Sequence, residues 1–397
     1  MLGYVNTYHT KCKFTVDVHQ STMFSNRITS VNPSGVREIF ELVGGDAINL
    51  GLGEPDFEPP KVAKEALKSA LDMGMNKYGP TIGLRPLRES VASYLGRYCE
   101  GIISSNVVIT SGATEALLVI SQSLYNPGDE VLIPEPGFVL YHPHAVLAGA
   151  KPITYGLSEE SGFEPDIDEI QEKITGKTKA IVVNSPSNPT GGVISRETFN
   201  ALAEIASDNG IYIISDEVYD NYIYEGEHFS FCEHLDNAIV VNSFSKSMAT
   251  TGWRIGYLVT NDEAVKQISK MHYYTIACPP TPIQYAVNIA MPHMMEFLEE
   301  IVPVFDSRRK KMVSMLNEIP GFKCDLPKGS IFAFPSYDMD IPSMELAKAI
   351  ASQGVITSPG IAFGTRGEGH LRFSYAASEE DIEKGLMIVK DVVETLC

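Results

Sequence analysis

Between about residue 60 and residue 260 the chain alternates short apolar runs with longer, striped segments. Val107-Val-Ile-Thr, Glu130-Val-Leu-Ile-Pro, Ala180-Ile-Val-Val-Asn, Ile211-Tyr-Ile-Ile-Ser and Ala238-Ile-Val-Val-Asn are rich in β-branched residues and bounded by Gly, Pro or Asn. Runs that are apolar at successive positions belong to strands covered on both faces, as in a parallel sheet. Between them the period lengthens. Residues 61–71 place Val62, Ala63, Ala66, Leu67 and Ala70 on one helical face, and 115–124 and 196–209 also read as helices. This alternation predicts an α/β protein built on a mostly parallel, doubly wound sheet.

After about residue 286 the rhythm changes. A long helical stretch at 291–319 is followed by Gly329-Ser-Ile-Phe-Ala-Phe, a helix at 343–353 and Gly369-His-Leu-Arg-Phe-Ser-Tyr, the pattern of a second, smaller α+β domain. An amphipathic stretch at 36–43 follows Ser30-Val-Asn-Pro-Ser-Gly. The expected division is an N-terminal arm or extension at 1–22, the N-terminal part of the small domain at 23–52, a large domain at 53–286 and the C-terminal small domain at 287–397. Residues 1–22 are polar and aperiodic, with Met23 as an alternative start.

Composition narrows the function classes. The 397 residues include 31 Lys+Arg and 50 Asp+Glu, a formal charge of −19, which argues against nucleic acid or an anionic membrane surface as partner. With 44% apolar and 20% charged residues the chain can bury a large core. Cys12, Cys99, Cys232, Cys278, Cys324 and Cys397 form no C-x-x-C pair, so reduced thiols are expected, with neither a disulfide framework nor a metal site. No apolar run has the length of a membrane helix, and the first twenty residues do not resemble a signal peptide, so the expected compartment is the cytoplasm.

Ligands of parallel α/β sheets gather at the carboxyl ends of the strands. The polar residues found there are Thr110-Ser-Gly-Ala-Thr114, Asn184-Ser-Pro-Ser-Asn188, Ser215-Asp216-Glu217-Val-Tyr219 and Asn242-Ser243-Phe-Ser245-Lys246, with Arg254 soon after. Ala113 and Thr114 open a helix and can offer N–H groups and a hydroxyl to a phosphate, although such a turn is also an ordinary capped one. Gly-x-Gly-x-x-Gly and Gly-Lys-Ser/Thr loops are missing, which disfavours dinucleotides and nucleoside triphosphates. Asp216 closes an apolar strand, where a carboxylate needs a cation, from a local arginine or a protonated ring nitrogen. Lys246 follows a buried strand, and burial lowers an ammonium pKa and frees the amine as a nucleophile.

Taken in order, Asn49-Leu-Gly-Leu-Gly-Glu-Pro-Asp-Phe, Lys77-Tyr-Gly-Pro-Thr-Ile-Gly-Leu-Arg-Pro-Leu-Arg, Ser111-Gly-Ala-Thr-Glu-Ala, Asn184-Ser-Pro-Ser-Asn-Pro-Thr-Gly, Ser215-Asp-Glu-Val-Tyr, Ser243-Phe-Ser-Lys through Gly252-Trp-Arg-Ile-Gly-Tyr and Leu371-Arg-Phe-Ser-Tyr-Ala resemble the class I/II, fold-type I aminotransferases that use pyridoxal 5′-phosphate, in the aspartate aminotransferase-like branch. The resemblance spans roughly residues 25–377. It implies that Lys246 condenses with the cofactor aldehyde and then shuttles the substrate proton, and that Asp216 keeps the pyridine nitrogen protonated. Tyr219 and Asn188 would hydrogen-bond the ring oxygen, and Phe138 would stack on the ring. Ala113, Thr114, Ser243, Ser245 and Arg254 would hold the phosphate, joined by Tyr78 of a neighbouring subunit, which implies a homodimer with shared sites. Arg372 would clamp the substrate α-carboxylate, assisted by Gly53 and Asn188.

The implied reaction moves an amino group from an L-amino acid (aspartate-like, aromatic or broad-range) to a 2-oxo acid such as 2-oxoglutarate by a ping-pong cycle. The rival readings are a β-eliminating C–S lyase with the same cofactor and a non-catalytic ligand-binding module. The chain departs from its relatives at the distal end of the substrate. No arginine lies between Arg254 and Arg308, and Thr114 stands where one subgroup has lysine. Lys77, Arg27, His142 and His144 are the remaining candidates for a distal cation.

Overall fold

The computed structural model of the chain describes residues 23–43 and 47–396; the expected arm at 1–22 lies outside them. A seven-stranded sheet is built from β1 (Val107–Thr110), β2 (Glu130–Glu135), β3 (Lys151–Gly156), β4 (Thr178–Asn184), β5 (Tyr212–Asp216), β6 (Ala238–Ser243) and β7 (Gly256–Val259). Its order is β1-β7-β6-β5-β4-β2-β3. Every pairing is parallel except those of β7, which runs against both β1 and β6.

The continuous apolar runs are explained by two cores, one on each face. Val107, Ile109, Leu132, Ile181, Ile213 and Val240 belong to one, packed with residues of helices Arg85–Leu95, Arg196–Asn209 and Met294–Leu316. Their neighbours Val108, Val131, Ala180, Ile214, Ile239 and Val241 belong to the other, with helices Ala113–Leu124 and Asp262–Ile276. A strand buried on both sides has no polar face to alternate with.

The C-terminal elements form smaller sheets. β8 (Phe332–Ala333), β9 (Ser358–Pro359) and β10 (Leu371–Ser374) run antiparallel with β10 in the middle, and Arg372 faces Ser358 in register. Ile48–Asn49 pairs in parallel with Val355–Ile356, which ties the N-terminal segment to these elements. Helix Gly35–Leu42 packs on helix Ser343–Ser352 and on β9.

Several expectations need correction. The stretch at 291–319 is not one helix. It is a 3₁₀ turn, Met291–His293, followed by helix Met294–Leu316 with Pro303 inside it. β3 carries a mixed sequence, Lys151-Pro-Ile-Thr-Tyr-Gly, because it is the sheet's edge strand and is covered less completely. The cysteines are not all reduced: Cys99 and Cys232 are joined, with Cα atoms 6.1 Å apart. They are 133 residues apart in sequence, so no local spacing could signal the bond. Among the described residues, no helix is long and apolar enough to cross a membrane.

Candidate active site

The carboxyl ends of β4, β5 and β6 open onto a cavity of about 320 Å³. Its lining includes Gly53, Ala113, Thr114, Phe138, Asn188, Asp216, Tyr219, Ser243, Ser245, Lys246, Arg254 and Arg372, twelve residues spread over more than three hundred positions. Of the residues expected to hold the cofactor or the α-carboxylate, Tyr78 alone lies outside the lining, and it is 90% exposed.

Asp216 ends β5 with its carboxylate buried. Burial pushes its pKa up from 3.8 to about 6, against the opposing pull of hydrogen bonds from the Tyr141 hydroxyl (2.8 Å) and the Val218 N–H (3.4 Å). No cation among the described residues offsets the buried charge. Next to β5, Asn184 ends β4 and donates its amide to the Asp216 carbonyl at 2.9 Å, while its Oδ1 accepts the Asn188 N–H at 2.7 Å. Asn184 thereby locks two strand ends and the loop carrying Asn188 into one unit.

Lys246 lies in a short helical turn, Phe244–Ser247, which Ser243 caps by accepting the Ser245 N–H at 3.1 Å. The Lys246 carbonyl accepts the Tyr222 hydroxyl at 2.9 Å, and its amine meets the Gly53 carbonyl. Desolvation lowers the amine pKa from 10.5 to about 8. Arg372 and Arg254 push the same way, and Glu54 opposes them. About a tenth of the amine is therefore neutral, and nucleophilic, at pH 7.

Beside it, the start of helix Ala113–Leu124 brings its free N–H groups to the cavity wall. Gly112 permits this geometry: its φ is +81°, and a Cβ there would sit 2.6 Å from Arg254 Nη2. Ser243 and Ser245 are linked hydroxyl to hydroxyl at 2.8 Å, and Arg254 itself adopts the left-handed region at φ 55°.

Across the cavity, Arg372 is fixed on β10. Its Nη1 donates to Asn188 Oδ1 at 2.8 Å, and its Nη2 to the Ser358 hydroxyl at 3.1 Å and to the Gly51 carbonyl. Its guanidinium carbon lies 4.2 Å from the Phe332 ring centroid and 4.7 Å from that of Phe363. Burial pushes its pKa down to about 10, and its Nε has no partner among the described residues. A buried cation with spare donor capacity awaits an anion. Because Asn188 Oδ1 is engaged, the remaining capacity of that amide is to donate. Burial also raises the Tyr219 pKa, so the phenol stays neutral and can donate as well.

Residues 45–388 match the family described as aminotransferase class I and II. The chain belongs to that family. It is an aminotransferase that uses pyridoxal 5′-phosphate. It is 42% identical to the probable aspartate aminotransferase of Methanocaldococcus jannaschii, over 94% of this chain and all of that protein. It is 36% identical to aromatic-amino-acid aminotransferase 2 of Thermococcus litoralis, over 93% and 98% of the two chains. The solved structure of Thermus thermophilus aspartate aminotransferase with maleate superposes with a TM-score of 0.88 at 33% identity, covering 93% of this chain and 99% of that one.

The cavity of this aminotransferase suits its cofactor chemically. It offers a helix start, two hydroxyls and an arginine for a phosphate, an uncompensated buried carboxylate for a ring nitrogen, and an amine for an aldehyde. Sequence reasoning missed several contributors. Tyr141, which holds Asp216, is an aromatic on a helix with no polar pattern around it. Phe332 lies far along the chain, and Val36, Arg37 and Phe40 come from helix Gly35–Leu42, with Ser34 as its N-cap. None of Lys77, Arg27, His142 and His144 lines this cavity. Arg27 donates to the Leu147 carbonyl at 3.1 Å, and burial lowers the His144 pKa to about 4, leaving it neutral.

Proposed function

We propose that the chain transfers the amino group of an L-amino acid, aspartate-like or aromatic, to a 2-oxo acid such as 2-oxoglutarate in two half-reactions at the Lys246 cavity. The observation that carries the reading is the convergence of Lys246, Asp216 and Arg372 on one cavity. When bound, the cofactor supplies an aldehyde that condenses with amines and a ring that delocalises an electron pair. Asp216 would hold a proton on the ring nitrogen and so gain the cation its buried carboxylate lacks. Tyr219 and Asn188 would donate to the ring oxygen, and Phe138 would pack on the ring. Ala113, Thr114, Ser243, Ser245 and Arg254 would hold the phosphate.

Arg372 orients the substrate by its α-carboxylate, with Gly53 and Asn188 alongside, so that the Cα–H bond faces Lys246. The freed Lys246 amine would take the α-proton onto Nζ and pass it to the carbon that was the cofactor's aldehyde carbon, on the far side of the nitrogen, and its depressed pKa suits it to accept and release protons near neutral pH. Apolar Leu52, Val139 and Phe332 in the lining keep bulk water from competing for that proton.

The working unit in this proposal is a homodimer. Exposed Leu71, Met73, Tyr78, Tyr273 and Tyr274 lie on or beside helices Lys61–Asp72 and Asp262–Ile276, and such apolar exposure marks a contact face. Tyr78 on that face would complete the phosphate site of the partner.

The test is a panel of amino donors and 2-oxo acceptors scored for both half-reactions, with Lys246→Ala alongside. The wild type should carry amino groups from donor to acceptor without releasing ammonia, and the variant should lose at least about 10⁴-fold of that rate. Ammonia release without an acceptor, or undiminished transfer by the variant, overturns the proposal.

A further inference from the structure

Among the described residues, four cationic side chains line the cavity: Lys246, Arg254, Arg372 and Arg37. The proposed reaction employs the first three, on the aldehyde, the phosphate and the α-carboxylate. Arg37 has no task there, and Asp216 is the one acidic residue in the lining among the described residues. Arg37 sits on helix Gly35–Leu42, from which Val36 and Phe40, and the N-cap Ser34, also reach the cavity.

Its partner is Glu41, one helical turn on, at 3.6 Å, with the two side chains 74% and 70% exposed. An ion pair so exposed contributes little and is readily exchanged for another anion. The helix itself is anchored. It packs on β9, whose Ser358 hydroxyl accepts from Arg372, and on helix Ser343–Ser352, which it also meets through Glu38 and Lys348 at 3.3 Å. The two arginines therefore ride on elements packed against each other, one deep in the cavity and one at the mouth. Apolar Val36, Phe40, Leu52 and Phe332 share the lining with them.

Resting on the reaction proposed above, we propose that Arg37 binds the distal carboxylate of four- and five-carbon dicarboxylic amino and 2-oxo acids, and so determines acceptance of that substrate class. It acts from within the same subunit. It replaces the Glu41 contact with a charge-assisted hydrogen bond to the ligand, and returns to Glu41 and water when the substrate side chain is apolar.

The experiment compares wild-type holoenzyme with Arg37→Ala and Arg37→Lys. Maleate serves as a dicarboxylate probe, its binding followed by titration of the cofactor absorbance. Single-turnover half-reactions are measured with aspartate and glutamate against alanine and phenylalanine. Arg37→Ala should weaken maleate binding about 10–100-fold and lower the dicarboxylic-to-monocarboxylic ratio of kcat/KM by a similar factor, with Arg37→Lys recovering part of both. Equal losses for both donor classes, or unaltered maleate binding, overturn the assignment. A wild type that turns over monocarboxylic donors but no dicarboxylate also defeats it, yet leaves the aminotransferase reaction standing.

Discussion

Asp216 is held in a setting that works against the fold until a cation arrives. Its pKa rises from 3.8 to about 6 on folding, so between those values the folded chain binds more protons than the unfolded one. Stability of the cofactor-free protein should therefore fall as pH rises through that window, with the cost present in full above it. Asp216→Asn keeps an acceptor for the Tyr141 hydroxyl and removes the charge. The cofactor-free variant should be more stable at pH 7 by about 2–3 kcal/mol, the gain shrinking towards pH 4, while the turnover of the loaded enzyme falls at least about 10²-fold. Thermal melts at the two pH values, paired with kinetics, check both halves; a variant less stable at pH 7 contradicts the argument. Asp216 and Lys246 were legible in the sequence because a charged residue just beyond a fully apolar strand is unusual chemistry. Tyr141 was not, since its value lies in a hydroxyl aimed at a residue 75 positions away.

At the scale of elements, this part of the cavity wall depends on how closely β7 can approach the start of helix Ala113–Leu124. Gly256 makes that approach possible: a Cβ there would lie 2.8 Å from the Asn242 carbonyl oxygen and about as near the backbone, 3.0 Å from Gly112 C and 3.1 Å from Ala113 N. All three are backbone atoms, which cannot rotate away. Gly256→Ala should cost about 1–3 kcal/mol and displace the helix start, weakening cofactor binding tenfold or more. Equilibrium dialysis of the cofactor with a parallel denaturation curve measures the two effects, and full-affinity binding would show that the helix start is not constrained in this way. The strand–helix alternation was visible in the hydrophobic pattern. The reversed direction of β7 was not, because a run that is apolar on both faces reads the same in either direction.

For the whole molecule, two links across long stretches of chain are open to test. The Cys99–Cys232 bond closes a loop of 133 positions, joining the segment after helix Arg85–Leu95 to the 3₁₀ turn Phe231–His234. Reducing it, or Cys99→Ser, should lower stability by about 2–5 kcal/mol without touching the cavity, so that residual activity at low temperature is retained. A melting temperature indifferent to reductant would deny the bond a stabilising role. The second is the link proposed between subunits. If Tyr78 serves the partner's phosphate site, a heterodimer of Lys246→Ala and Tyr78→Ala subunits should regain one native site, whereas either homodimer stays impaired. Failure of mixed subunits to exceed the parents would remove Tyr78 from that role.

The order of apolar runs and helical stripes already determined an α/β sheet, and the segments at strand ends already named half of the cavity wall. Both follow from the local geometry of the backbone, where a side chain's facing is set by its neighbours along the chain. Which segments meet was decided only in three dimensions. Arg37, Phe332 and Arg372 share one cavity, and Cys99 finds Cys232, because crossover connections and the packing of the C-terminal elements bring them together. No period in the sequence records a contact between residues a hundred or more positions apart; it depends on how whole elements stack to bury their apolar faces.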